Sequence, residues 1–179
     1  MNVVSKEAAQ SAAGWRDDIW GHFMREQIDL FAYLPDGGLD FLIRRLHAET
    51  RDRAVMLTTE EEGVGVCCGA WLGGKRSVMA IQSSGVGNCI NAFSLATNCR
   101  FPFFLLVSMR GEFGEANPWQ IPMGSTTAEV LKLSGFHVFN ATREDEAAAL
   151  VAGGLTMAYR SEVPVAVLLS QRLLGAKVM

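Results

Sequence analysis

Three consecutive carboxylates stand at one point of the chain, in Thr58-Thr59-Glu60-Glu61-Glu62-Gly63, and lead directly into the small, apolar run Val64-Gly65-Val66-Cys67-Cys68-Gly69-Ala70. A carboxylate at a helix start has two uses. It can serve the helix: Thr59 as N-cap with Glu62 three residues on forms a capping box, and negative charge in a first turn suits the helix dipole. It can instead face a dry cleft, where desolvation raises its pKa and equips it to donate or relay a proton. The helix body favours the second use. Gly63, Gly65, Gly69 and Gly73 are poor helix formers, each costing about 1 kcal/mol against alanine, so they imply close approach by something else.

A second junction, Gln82-Ser83-Ser84-Gly85-Val86-Gly87-Asn88, reads as a strand, a glycine-rich turn and a helix start. Exposed amides at such a turn suit an anion or a flat polar ring. A tight turn packing helix on sheet accounts for the same glycines. The segment is no dinucleotide fingerprint, because the third glycine position after Gly85 and Gly87 holds Ile90. His22, His47 and His137 have no Ser or Cys partner by spacing and read as structural. Cys67, Cys68, Cys89 and Cys99 show no CxxC spacing, so neither a zinc site nor a disulfide framework is expected. Four buried thiols in a reducing cytoplasm is the reading.

The elements that must position these residues follow from apolar periodicity. Strands are expected at Asp29–Leu34, Arg53–Leu57, Ser77–Gln82, Pro102–Ser108, Phe136–Asn140 and Pro164–Leu169, short runs apolar on both faces, as in a parallel sheet covered by helices. Helices are expected at Trp15–Glu26, Leu39–Ala48, Glu60–Leu72, Val86–Asn98, Thr126–Leu133 and Arg143–Tyr159. This alternation predicts a three-layer α/β domain with a six-stranded, mostly parallel sheet and helices on both faces. Residues 1–14 read as an extension and 15–179 as one domain. Ligands of such folds sit in the loops beyond the carboxyl ends of the strands. Those loops are Pro35–Gly38, Thr58–Gly63, Ser83–Asn88 and the longest, Met109–Gly124.

Composition narrows the function. With 16 Lys plus Arg against 19 Asp plus Glu, the net charge is -3, and no basic stripe offers phosphates a binding face, so nucleic acid is not an expected partner. The longest uncharged stretch, Ser77–Cys99, is interrupted by Gln82, Ser83, Ser84, Asn88, Asn91 and Asn98, which argues against a membrane span. No secretory signal pattern opens the chain. A cytoplasmic location is expected.

Together these strings resemble a known family. Glu61-Glu62-Gly63-Val64-Gly65-Val66-Cys67-Cys68-Gly69-Ala70-Trp71-Leu72 is similar to the glutamate-led helix of the pyrimidine-binding (PYR) domain of thiamine-diphosphate enzymes. Ser84-Gly85-Val86-Gly87-Asn88, with Phe101-Pro102-Phe103-Phe104-Leu105-Leu106-Val107, resembles that domain's next strand-turn-helix-strand segment, and Met109-Arg110-Gly111 and Gln120-Ile121-Pro122-Met123-Gly124 extend the likeness. Over residues 15 to 172 the resemblance is nearest to the stand-alone PYR subunit, called alpha, of sulfopyruvate decarboxylase and its phosphonopyruvate-decarboxylase relatives.

The resemblance implies a decarboxylase whose nucleophile is the coenzyme. A glutamate there hydrogen-bonds the aminopyrimidine ring and favours the imino tautomer that removes the thiazolium C2 proton. Matching Gly63 and Trp71 to the family's small and aromatic positions makes Glu61 that glutamate, with Glu62 as the alternative register. Ser84, Gly85, Gly87 and Asn88 become cofactor-binding candidates. Asp36, in a loop with strong turn chemistry of its own, and Gln120 become substrate candidates. Arg110 is the third, because its planar fork suits a sulfonate or phosphonate; a surface ion pair with Glu112 or Glu115 is the other reading.

The family holds the coenzyme's diphosphate through a divalent cation on a second domain with a Gly-Asp-Gly motif. No aspartate of this chain follows a glycine, and no metal ligand is assigned to it. The implied assembly is a hetero-oligomer, with thiamine diphosphate at the interface and Mg2+ held by a separate beta (PP-domain) subunit. Apolar surface left for that partner also accounts for the mean hydropathy of +0.16. The implied substrate is a small anionic 2-oxo acid, sulfopyruvate or alternatively phosphonopyruvate. A non-catalytic PYR-like regulatory subunit and a flavodoxin-like nucleotide binder are the competing readings.

Overall fold

The computed structural model describes residues 14–175, so the expected extension, apart from Gly14, lies outside the described residues. Six strands form one sheet in the order β2-β1-β3-β4-β6-β5, and every neighbouring pair is parallel. They are β1 (Leu30–Tyr33), β2 (Ala54–Met56), β3 (Ser77–Gln82), β4 (Phe103–Ser108), β5 (His137–Ala141) and β6 (Pro164–Leu169). The three central strands β3, β4 and β6 are buried on both faces almost throughout, as their unbroken apolar runs require.

Helices α1 (Trp15–Arg25), α2 (Asp40–Glu49) and α7 (Glu144–Arg160) cover one face, where Trp15, Ile19, Trp20 and Phe23 join the core as α1 packs on α7. Helices α3 (Glu60–Leu72), α4 (Ser83–Cys89), α5 (Ser94–Asn98) and α6 (Ile121–Leu133) cover the other. A last short helix, α8 (Gln171–Leu174), follows β6 directly. The expectation of a three-layer α/β domain holds, with the sheet parallel throughout. No described helix is long and apolar enough to cross a membrane.

Three local expectations fail for physical reasons. The helix expected at Val86–Asn98 is two helices, because the chain tightens to i→i−3 hydrogen bonds from Ser94 to Asn91 and from Leu95 to Ala92. That break lets Phe93 point inward, with its ring against Phe103 and Phe136. The glycine-rich turn at Ser83–Asn88 is no turn: the helix starts immediately after β3, and Ser84, Gly85, Gly87 and Asn88 are helical. The third concerns the thiols. Burial pushes Cys67 and Cys89 up to about 12 and Cys68 to about 11, but Cys99, at the end of α5, is exposed.

Candidate active site

The chain runs from β1 out to the edge strand β2 and then returns to the far side of β1 as β3. The sheet therefore reverses its winding between β1 and β3, and their carboxyl ends form the crevice where such folds bind ligands. Asp36 bridges that crevice. It caps the turn Gly37–Leu39, its Oδ2 accepting from Gly38 N at 2.7 Å and from Ser108 Oγ, at the end of β4, at 2.8 Å. Its Oδ1 accepts from Gln82 Nε2 at 2.8 Å, and Gln82 Oε1 accepts in turn from Ser84 Oγ. Gly38 permits this closeness, since a Cβ there would lie 2.9 Å from Ser108 Cβ. Asp36, the expected substrate contact, has its carboxylate oxygens engaged by three donors of the protein and ties the ends of β1, β3 and β4 together.

The three glutamates at the head of α3 have separate fates. Glu62 reaches back to accept from Thr58 N and Thr58 Oγ1, both at 2.8 Å, which holds its carboxyl below the usual range. Thr59 is the N-cap without a side-chain bond of its own, and Glu62 accepts from Thr58, one residue before the cap, so the expected capping box is replaced by this displaced contact. Glu60 accepts from Asn88 Nδ2 at 2.8 Å and lies across Gly85, where a Cβ would meet Glu60 Cγ at 2.4 Å. Glu61 is exposed and makes no hydrogen bond to any described residue. The dry cleft expected around it is not formed by the described residues.

The close approach expected along α3 is confined to Gly63, where a Cβ would lie 2.6 Å from Leu57 Cδ1 and 2.8 Å from Met79 Cε. Nothing of the described chain lies within 4 Å of a Cβ at Gly65 or Gly69. Leu72, further along the helix, is exposed as well.

Arg110 follows β4 and is engaged by Glu115: Nε and Nη2 donate to its two carboxylate oxygens, each at 2.7 Å. Both side chains are shielded, with 11% and 3% exposure. Of the two pairings anticipated for Arg110, the structure selects Glu115. Glu112 instead accepts from Ser170 Oγ at 3.0 Å and Gln171 N at 3.1 Å. Gln120 ends the turn Pro118–Gln120, and its Oε1 is buried without a hydrogen-bond partner among the described residues. A cavity of about 200 Å³ opens beside Arg110, lined also by Gly37, Gly38, Met109, Gln171 and Leu174. Drug-sized sites run to about 300–1,000 Å³, so this one suits a small metabolite. Another cavity, of about 300 Å³, lies by Trp15, Phe41 and Arg45 and includes none of the expected site residues.

Ser108 and Gln171 were not candidates from sequence. Ser108 closes the apolar run of β4, and that polar ending is the signal that marks it; Gln171 opens α8 just past β6 and carries no such local signal. Among the described residues no cluster of His, Cys, Asp and Glu could hold a metal ion.

The Arg110–Glu115 pair makes acid stability testable. The guanidinium beside Glu115, foremost by hydrogen bonding, holds its carboxyl down at about 2, against an ordinary 4.5. A folded-state pKa below the unfolded one contributes stability that is present above the unfolded value and disappears as pH falls through the folded one. Urea unfolding should therefore show a loss between about pH 4.5 and 2. Glu115→Gln should flatten that slope and, by leaving a shielded guanidinium uncompensated, cost on the order of 2 kcal/mol at neutral pH.

The fold and these strand-end junctions define a PYR-type α/β domain. Its fold is shared with 2-oxoglutarate:ferredoxin oxidoreductase from Magnetococcus marinus, with a TM-score of 0.74 at 16% identity over 90% of this chain and 29% of that one. Benzoylformate decarboxylase from Polynucleobacter necessarius aligns with a TM-score of 0.71 at 13% identity over 93% and 31%. In sequence, sulfopyruvate decarboxylase subunit alpha of Methanococcus maripaludis is 35% identical over 143 residues, 79% of this chain and 86% of the relative. The subunit of the same name from Methanothermobacter thermautotrophicus is 35% identical over 171 residues, 94% of this chain and 97% of that one. Phosphonopyruvate decarboxylase of Streptomyces viridochromogenes is 33% identical over 144 residues, 78% of this chain but 36% of its own length. No protein-family model matches the chain. The chain belongs to the sulfopyruvate decarboxylase alpha-subunit family.

Proposed function

We propose that this chain is the alpha half of a thiamine-diphosphate-dependent decarboxylase that converts sulfopyruvate to sulfoacetaldehyde and carbon dioxide. The observation that carries the reading is Glu61. Of three adjacent carboxylates, Glu60 and Glu62 are engaged within the chain, and Glu61 alone is exposed without a hydrogen-bond partner among the described residues. That is the state required of a group that shares a proton in a hydrogen bond with an aminopyrimidine ring supplied from outside. Ser84, Gly85, Gly87 and Asn88, the cofactor-binding candidates of this reading, lie on the neighbouring helix α4, where Asn88 bonds Glu60 and the absence of a Cβ at Gly85 leaves room for the Glu60 side chain. When bound, the coenzyme supplies the carbon nucleophile and the electron sink for decarboxylation.

Within this reading Arg110 receives the substrate's sulfonate in the adjoining small cavity. A separate beta subunit holds the diphosphate through Mg2+. The apolar side chains Phe113, Trp119 and Ile121, exposed on the loop that carries Arg110, support a surface completed by another chain. The free cysteines suit a reducing cytoplasm.

The test is co-expression with the candidate beta subunit and a decarboxylation assay with and without thiamine diphosphate and Mg2+, offering sulfopyruvate and phosphonopyruvate. Turnover that prefers sulfopyruvate and needs both chains and the coenzyme is expected. Turnover by the isolated chain, or without the coenzyme, would reject the assignment; preference for phosphonopyruvate would move the substrate.

A further inference from the structure

The loop that carries Arg110 is held from within by Glu115, which accepts from Gly111 N at 3.2 Å and Asn117 N at 3.0 Å, and is tied besides to α8. Its anchor is Gln171, the first residue of α8, which is 2% exposed. Gln171 Oε1 accepts from the loop amides of Glu112 at 2.8 Å and Phe113 at 3.0 Å, while Nε2 donates to Glu115 Oε2 at 2.9 Å. Glu115 in turn grips Nε and Nη2 of Arg110. Glu112 returns the tie by accepting from Ser170 Oγ and Gln171 N. Three of the five guanidinium N–H groups of an arginine lie on Nη1 and the outer side of Nη2, and Nη1 has no hydrogen-bond partner among the described residues. Arg110 and Gln171 line the same cavity of about 200 Å³ beside Gly38.

We propose that Gln171 is a positioning residue for the substrate's second anionic group. Acting through Glu115, it fixes the plane of the Arg110 guanidinium so that the unpaired side faces the cavity, and it lines that cavity itself. An arginine fixed before the ligand arrives loses less side-chain entropy on binding than a mobile one. A planar fork rewards such orientation where a point charge would not. The inference rests on the proposed decarboxylase reading and deepens it. Selectivity for a 2-oxo acid bearing a sulfonate, over one without, depends on a residue about sixty positions further along the chain than the arginine.

The test uses the reconstituted alpha–beta complex and three variants: Arg110→Met as the reference, Gln171→Leu, and Glu115→Gln, which keeps the shape of the intermediate link. For each, KM and kcat are measured with sulfopyruvate and with 2-oxobutyrate, which lacks the second anion. Calorimetry with sulfoacetate reads binding without turnover. Gln171→Leu and Glu115→Gln should each raise KM for sulfopyruvate and weaken sulfoacetate about tenfold, the effect of a misaligned charge-assisted hydrogen bond. The change in KM with 2-oxobutyrate should be clearly smaller, so that the preference for the sulfonate substrate falls. If Arg110→Met is selective for the sulfonate while both other variants are not, the positioning role of Gln171 is refuted and the decarboxylase reading stands. Equal losses on the two substrates also refute it, since they report general loosening of the loop. If Arg110→Met itself spares the sulfonate, the anion subsite is wrong and the inference falls with it.

Discussion

Glu61→Gln in the reconstituted complex should lower decarboxylation by about 10²–10⁴-fold, the span over which a positioned proton-transfer group contributes, while leaving assembly and folding intact. The substitution keeps size and shape and removes only the ionisable oxygen. Because Glu61 is exposed and makes no hydrogen bond in the described chain, its removal takes nothing from the fold, and surface changes of that kind shift stability by at most about 0.5 kcal/mol. Its two neighbours serve as internal controls. Glu62→Gln gives up an ionised acceptor for Thr58 N and Oγ1, so it should lower thermal stability a little and turnover by less than about tenfold. Glu60→Gln can keep a hydrogen bond to Asn88 through its amide oxygen and should behave similarly. A profile in which Glu62→Gln is the inactive variant would shift the register by one residue. Unchanged turnover in all three would support a regulatory subunit instead.

Two of the three central strands, β3 and β6, were legible to the residue because nothing competes with their signal. Ser77–Gln82 and Pro164–Leu169 are apolar on both faces and bounded by turn-forming or helix-starting residues, so local pattern and tertiary burial agree. The region after β3 was not, because Gly85 and Gly87 look like a turn in one dimension. They are helical because the sheet and α3 require a helix without Cβ atoms where Glu60 and Met123 come close. The place of three glutamates before a small-residue helix made that junction legible as a candidate, and the family resemblance, not position, singled out Glu61 with Glu62 as the alternative. The side-chain bonds that leave it free, such as Glu60 to Asn88 across 28 residues, were not. Gln171 was invisible for the same reason: its hydrogen bond to Glu115 spans 56 residues, and no local rule relates them.

Gly124→Ala should be strongly destabilising, although it adds a single methyl group. Gly124 lies in the first turns of α6, buried, where a Cβ would sit 1.9 Å from Arg110 O, 2.7 Å from Gly111 Cα and 2.8 Å from Arg110 C. All three are backbone atoms, so no rotamer change relieves the clash. The facing residue is as constrained: Gly111 has φ +75, and a Cβ there would meet Gln120 O at 2.1 Å. The two glycines let the outgoing and returning arms of the loop cross in contact. Alanine at 124 must force them apart, at about 3 kcal/mol or more, the upper part of the range for overpacking. The displaced atoms belong to Arg110, so the surviving folded fraction should also bind sulfoacetate poorly. Gly69→Ala provides the contrast. It too is a helical glycine, but with nothing of the described chain within 4 Å of the added Cβ, so it should stabilise the isolated chain by about 0.5–1 kcal/mol through helix propensity alone. Urea unfolding of the two variants beside the parent measures both signs. Equal effects would show that the crossing of Arg110 and α6 is looser than these distances require.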